Sequence, residues 1–176
     1  MMDLEALKYP MGRFKAPETI DTEQRKIWIE TIENFPIQLE AFAKQLTEKQ
    51  LETPYRPEGW TARQVIHHLY DSHTHCYVRM KAALTEGENP EIKDYNENAY
   101  ANLSDGKSGP IEFSILGLKA LHSRWTYWMK TFTEEDWEKS YFHPTRQITY
   151  KLDKVLGIYA WHCLHHLEHL KIIVNG

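Results

Sequence analysis

Four stretches of this 176-residue chain repeat their apolar residues every three or four positions, a period that commits them to helices packed by one face. The last is the clearest: from Leu152, the residues Val155, Leu156, Tyr159, Cys163, Leu167 and Leu170 form one stripe, with Asp153 or a residue just before it as the cap. In "DTEQRKIWIETIENFPIQLEAFAKQL", after an Asp or Thr cap, Ile27, Ile32, Phe35, Leu39, Phe42 and Leu46 share a side. Pro36 falls inside that pattern and should kink or break the helix. "TARQVIHHLYDSHTHCYVRMKAAL" follows Thr61, a good N-cap, and aligns Val65, Ile66, Leu69, Cys76 and Met80. "IEFSILGLKALHSRWTYWMKTF" aligns Ile115, Leu118, Leu121, Trp125 and Trp128. Four such helices with unequal connections predict an all-α fold, a four-helix bundle forming one domain over 1–176.

The connections differ in character. Residues 1–20 hold two prolines and no sustained period, which predicts an extended arm over the domain. "TPYRPEGW" is dense in turn-formers. Residues 85–110 read as a long polar connection with one short helical turn, of the kind that is functional or mobile. "TEEDWEKSYFHPTRQITYKL" flanks a His-Pro-Thr turn with β-branched and aromatic residues, the mark of a short hairpin. The formal charge is −4 with no block of one sign, so neither nucleic acid nor an anionic membrane surface is an expected partner. No apolar run is long enough to span a bilayer and no secretory leader is evident, so a soluble, cytoplasmic protein is expected. The two cysteines, Cys76 and Cys163, sit among apolar neighbours and read as small core residues.

The ten histidines carry the chemistry, clustering at 67–75 and 162–169. Residues four apart stack on one helix face, so an H-x-x-x-H pair can grip one metal ion. The last helix offers His162 with His166, and His165 with His169. At about 100° per residue, His166 lies roughly 40° from the centre of the apolar stripe and His162 roughly 80°, whereas His169 lies roughly 100° and His165 roughly 140° away. The first pair thus borders the core, and His165 should face solvent. On the second helix, His68 falls on the flank and His67 nearly opposite the core. His68 is therefore the better third ligand; His73 points into the stripe and competes with it, and His75 shares the flank. Three imidazoles without a paired-cysteine motif leave a divalent ion with open positions, which suits chemistry better than a closed structural site.

The combination G-W-T-x-R-Q-V-x-H-H-L, D-S-H, H-x-R-W and Y-x-W-H-x-x-H-H, spread over "LETPYRPEGWTARQVIHHLYDSHTHCYVRMKAALTE", "LHSRWTYWM" and "YFHPTRQITYKLDKVLGIYAWHCLHHLEHL", resembles the DinB/YfiT-like metalloproteins. Within them the likeness is to the YfiT branch, described as metal-dependent hydrolases and as bacillithiol S-transferases. The resemblance implies a four-helix bundle, usually a homodimer, with one zinc or nickel ion per chain held by His68, His162 and His166. Leu164 stands where relatives can carry a further histidine. The leading expectation is a transferase that joins a small bacillithiol-like thiol to an electrophile. A hydrolase using water at the same site, or a non-catalytic metal or small-molecule binder, are the alternatives. Tyr55, Arg63, Asp71, Arg79, His122 and Arg124 are candidates for holding the thiol or tuning the ligands, with Asp71, one turn beyond His68, a possible partner to it.

Overall fold

The structure is a computed structural model and describes residues 3–175; the first two residues of the predicted arm lie outside the described residues. In chain order the elements are α1 (Leu4–Lys8), α2 (Thr22–Ala43), α3 (Glu48–Leu51), α4 (Ala62–Thr85), α5 (Glu97–Ala101), α6 (Ser104–Ser108), α7 (Ile111–Met129), α8 (Glu134–Glu138), β1 (Ser140–His143), β2 (Ile148–Lys151) and α9 (Leu152–Asn175). The four long helices are α2, α4, α7 and α9. Both α2 and α4 pack on α7 and α9, so α2 and α4 take opposite corners of a four-helix bundle. Among the described residues, no helix is long and apolar enough to cross a membrane.

Local chemistry explains the helix starts. Asp21 accepts the Gln24 N–H at 2.7 Å, and at α4 Thr61 and Gln64 form a reciprocal capping box. The predicted stripes meet in one core: Ile32, Phe35 and Leu39 of α2, Leu69 and Met80 of α4, Leu118 and Trp125 of α7, and Leu156 and Leu170 of α9 are all fully buried. Each contributes about 1.5–3 kcal/mol by leaving water. Cys76 and Cys163 are buried free thiols in that core.

Several expectations need correction. Pro36 does not break α2, which runs through it from Thr22 to Ala43. Ile27 is exposed and Ile29 takes its place in the core, while Leu121 is half-buried and His122 and Met129 carry the inner face of α7. Asp153 is no cap: α9 starts at Leu152, whose N–H donates to the Lys139 carbonyl at 2.9 Å, and Asp153 lies in the first turn. The arm is not wholly extended, since Leu4–Lys8 form a helical turn. Beyond that turn, Phe14 and Trp28 close over Gly157 of α9, where a Cβ would come within 2.9 Å of both rings. The 85–110 connection holds two short helices, not one. Its stretch 90–92 is hydrogen-bonded to the hairpin, the Ile92 N–H donating to the Phe142 carbonyl at 3.0 Å and the Phe142 N–H to the Pro90 carbonyl at 2.9 Å. The hairpin itself is antiparallel, pairing Tyr141 with Tyr150 and His143 with Ile148.

Candidate metal centre

Helices α4 and α9 lie side by side, and the histidines on their shared flank converge. His68 Nε2 lies 3.3 Å from His162 Nε2, and His166 Nε2 lies 3.1 Å from the same atom. His162 and His166 are one turn apart on α9, and His68 reaches them from α4 with its ring 5.0 Å from that of His166. A tetrahedral ion with metal–nitrogen distances of about 2.0–2.1 Å separates its ligand nitrogens by about 3.3 Å. His162 Nε2 therefore already stands at about that spacing from both of its partners, and all three donor atoms lie within 4.8 Å of one another. Burial is the largest cause holding His162 and His166 well below the usual imidazole range, with neighbouring histidines adding to it. The same burial brings His68 down to about 3. Neutral imidazoles are the form in which histidine ligates, so the donor set fits a divalent cation.

The three histidines line a cavity of about 500 Å³. Tyr55, Trp60 and Tyr159 wall it near the histidines, and Arg79 and Arg146 bring cationic groups to its lining. Arg79 is buried; its Nη2 lies 3.3 Å from Asp94 Oδ1, and its Nε has no protein partner. Arg146 comes from the hairpin turn, and Glu97, its partner at 3.8 Å, is the one carboxylate among the lining residues.

The remaining histidines are distributed otherwise than the angles predict. His165 does not face solvent, nor is His169 peripheral: both are buried, at 6% and 2% exposure. The arm covers them. Tyr9 stacks over His165 at 5.9 Å from one side and Trp161 at 4.2 Å from another, while Tyr55 stacks on His169 at 3.9 Å. His169 Nε2 meets the Lys8 carbonyl at 3.2 Å, and its Nδ1 lies 3.2 Å from His166 Nδ1. His165, His166 and His169 thus form a second tight cluster. There, the contact of His169 with His166 closes as an ordinary hydrogen bond and needs no ion.

His67 is buried too, held by Ser114 Oγ at 2.7 Å and the Gly109 carbonyl at 3.1 Å, because α7 packs on the side that looked free. His73 is not among the converging Nε2 atoms. It stands behind His162, its Nε2 3.0 Å from His162 Nδ1. His75 stacks on Tyr95 at 4.0 Å.

Of the other candidates, Tyr55 and Arg79 line the cavity, and the rest do not. Arg124 is exposed, its guanidinium 5.8 Å from the Tyr77 ring. Arg63 is tied to Glu52, Glu48 and the Gly109 carbonyl as a brace between α3, α4 and the start of α7. Asp71 makes no hydrogen bond to His68 among the described residues; burial, helped by the Asp105 carboxylate, raises it to about 6. His122 is fully buried and touches the site only through His73, at 2.7 Å. Sequence reasoning missed the arm residues Lys8 and Tyr9 and the hairpin residues His143 and Arg146. Only the polar and aromatic richness of "YFHPTR" pointed to the latter.

Comparison with known proteins places this geometry in context. A profile of the DinB superfamily matches residues 31–170. A Bacillus subtilis protein named "Putative metal-dependent hydrolase YfiT" is 42% identical over 164 residues, covering 93% of this chain and 92% of that one. A Bacillus pumilus relative named "Putative metal-dependent hydrolase" is 43% identical over 172 residues, covering 98% of this chain and 97% of its own. The solved structure of Bacillus subtilis YfiT, described as a probable metal-dependent hydrolase with an unusual four-helix bundle topology, superposes with a TM-score of 0.94 at 39% identity, covering 97% of both chains.

Proposed function

Because this chain belongs to the DinB superfamily, we propose that it is a metal-dependent enzyme in which His68, His162 and His166 hold one divalent ion, zinc or nickel, and a small thiol is joined to an electrophile beside it. The observation that carries the thiol reading is the lining. Arg79, Arg146, Arg56 and Lys8 border the histidines, with Glu97 the one carboxylate among them. That surface suits an anionic nucleophile bearing acidic groups, of which a bacillithiol-like thiol is one kind.

His68, His162 and His166 would hold the ion, which when bound would supply positive charge that favours the thiolate form of a thiol whose free pKa is near 8.5. The chain's own residues do the rest. Arg79 and Arg146 hold acidic groups of the thiol, and Tyr55 and Trp60 shield the sulfur from water. The thiol proton passes to solvent; the sulfur–carbon bond forms as the carbon–leaving group bond breaks and the leaving group departs with the electron pair.

A second reading, hydrolysis at the same three histidines, is supported by the names its relatives carry. It requires a base for the water proton, and Glu97, at the end of an ion pair with Arg146, is the lining carboxylate available for it.

One experiment separates these readings. Metal content is measured on purified protein and on His68→Ala, His162→Ala and His166→Ala, and the loaded protein is then assayed with an electrophile, with and without bacillithiol. About one ion per chain, absent from the three variants, with conjugate formed only when thiol is present, is the expected result. Product formed without thiol would favour the hydrolase; metal binding with no turnover in either assay would leave a binding protein. We also propose a homodimer, supported by the unpartnered apolar stripe Phe113, Leu116 and Tyr127 on the outer side of α7, all exposed. Sedimentation equilibrium at the monomer mass would overturn it.

A further inference from the structure

Behind His162 the imidazoles form a continuous line into the core. His162 Nδ1 lies 3.0 Å from His73 Nε2, His73 Nδ1 lies 2.7 Å from His122 Nε2, and His122 Nδ1 lies 2.6 Å from the Ile32 carbonyl oxygen. The rings of His73 and His122 are coplanar within 5°, and Phe35 covers both.

The far end sets the direction of the line. A carbonyl oxygen only accepts, so His122 must donate from Nδ1. A neutral His122 then has a bare Nε2, which accepts from His73 Nδ1–H. His73 in turn has a bare Nε2, which accepts from His162 Nδ1–H. His162 is left with its Nε2 lone pair aimed at the Nε2 atoms of His68 and His166. One carbonyl thereby selects the tautomer of three histidines.

That carbonyl is available for a reason written in the sequence. Ile32 lies on α2, where its C=O would ordinarily accept from the N–H of residue 36. Residue 36 is Pro36, which has none. The proline opens an acceptor inside a buried helix face, and His122 fills it.

We infer that His73 and His122 are positioning residues that hold the ligand His162 in its metal-binding tautomer and orientation, and that Pro36 completes the device by leaving the Ile32 carbonyl free. The inference rests on the reading of His162 as a metal ligand. The same arrangement recurs on His166, whose Nδ1 reaches His169 and, through it, the Lys8 carbonyl. Partners of this kind typically change metal affinity by about 10–100-fold when removed.

The test uses the full chain. Long-range ¹⁵N–¹H NMR on metal-free protein reads which ring nitrogen of each histidine carries its proton. His162, His73 and His122 are all expected with the proton on Nδ1. Zinc affinity is then measured by chelator competition, with the cobalt(II) absorption spectrum as a signature of ligand geometry. His73→Leu and His122→Phe should weaken zinc binding by about 10–100-fold and alter the cobalt bands. His73→Gln, whose amide can both accept from His162 and donate to His122, should restore most of the affinity. Pro36→Ala returns an N–H that competes for the Ile32 carbonyl, so the His122 Nδ1–H resonance should move. A proton on His162 Nε2, or wild-type zinc affinity in both His73→Leu and His122→Phe, would overturn the inference. Absence of zinc binding by the wild type would instead sink the three-histidine site beneath it.

Discussion

At the scale of single residues, the fate of each histidine was decided by what lay across from it. His68, His162 and His166 meet because two helix flanks face one another, whereas His73, five residues further along α4, is turned behind the cluster. The difference is testable: His73→Gln should keep zinc while His68→Gln loses it, read by elemental analysis of the purified variants. Arg79 is the buried cation that combines a cavity position with an ion pair to Asp94. In a thiol-dependent assay, Arg79→Met should raise the KM for the thiol by about tenfold or more, the effect of losing a charged hydrogen bond, with little change in zinc content. Trp125 of α7 is fully buried against Met80 of α4 and Tyr159 of α9, and its ring also packs edge-on against His73 and His122. Trp125→Ala should cost about 3–5 kcal/mol, measured by denaturant unfolding.

At the scale of elements, the arm acts as a wall of the site. The turn Leu4–Lys8 brings its last carbonyl to His169, and Tyr9 covers His165. A chain beginning at residue 14 should expose both rings and weaken zinc binding through His166. Chelator competition reads the loss, and unchanged affinity would show the arm to be only a cover. The hairpin is a second wall, delivering His143 and Arg146, and it is held by the 90–92 segment, so the long connection is anchored where the site needs it. Proline in α2 shows how an element-level rule can mislead. A helix-interior proline ordinarily costs about 3 kcal/mol because a hydrogen bond is lost. Here the orphaned carbonyl is claimed by an imidazole from another helix, and the helix continues.

At the scale of the whole molecule, a crowd of buried neutral histidines makes stability depend on pH. His68, His122, His165 and His169 are lowered to between about 3 and 4, in each case chiefly by burial. Their unfolded value is near 6.5, so the unfolded chain takes up protons first as pH falls. The stability they contribute is whole above pH 6.5 and is lost as the pH falls towards 4. Each ring that stays neutral in the fold steepens the loss by up to about 1.4 kcal/mol per pH unit. Metal-free protein should therefore melt progressively lower between pH 7 and pH 5. Added zinc should raise the melting temperature, by about 2.7 kcal/mol of stability at a hundredfold excess over Kd, and less in acid, where protons compete for the ligands.

The period of the apolar residues was enough to foretell four helices and most of their inner faces, because a helix face is a local property of spacing; residue type marked the cap at Thr61 and narrowed the first to an Asp or Thr, of which Asp21 is the one that caps. The pairing of His162 with His166 was legible for the same reason, both lying one turn apart on one helix. Burial of His165, His169 and His67 was not legible, since it depends on an arm, a tyrosine and a neighbouring helix that are distant in sequence. Nor was the role of Pro36: a missing N–H is visible in the sequence, but which group accepts the freed carbonyl is settled only when α7 packs against α2. Local periodicity determined the elements; the convergence of three nitrogens, and the line of imidazoles behind them, was decided by tertiary packing, which alone brings residues separated by about ninety positions within hydrogen-bond reach.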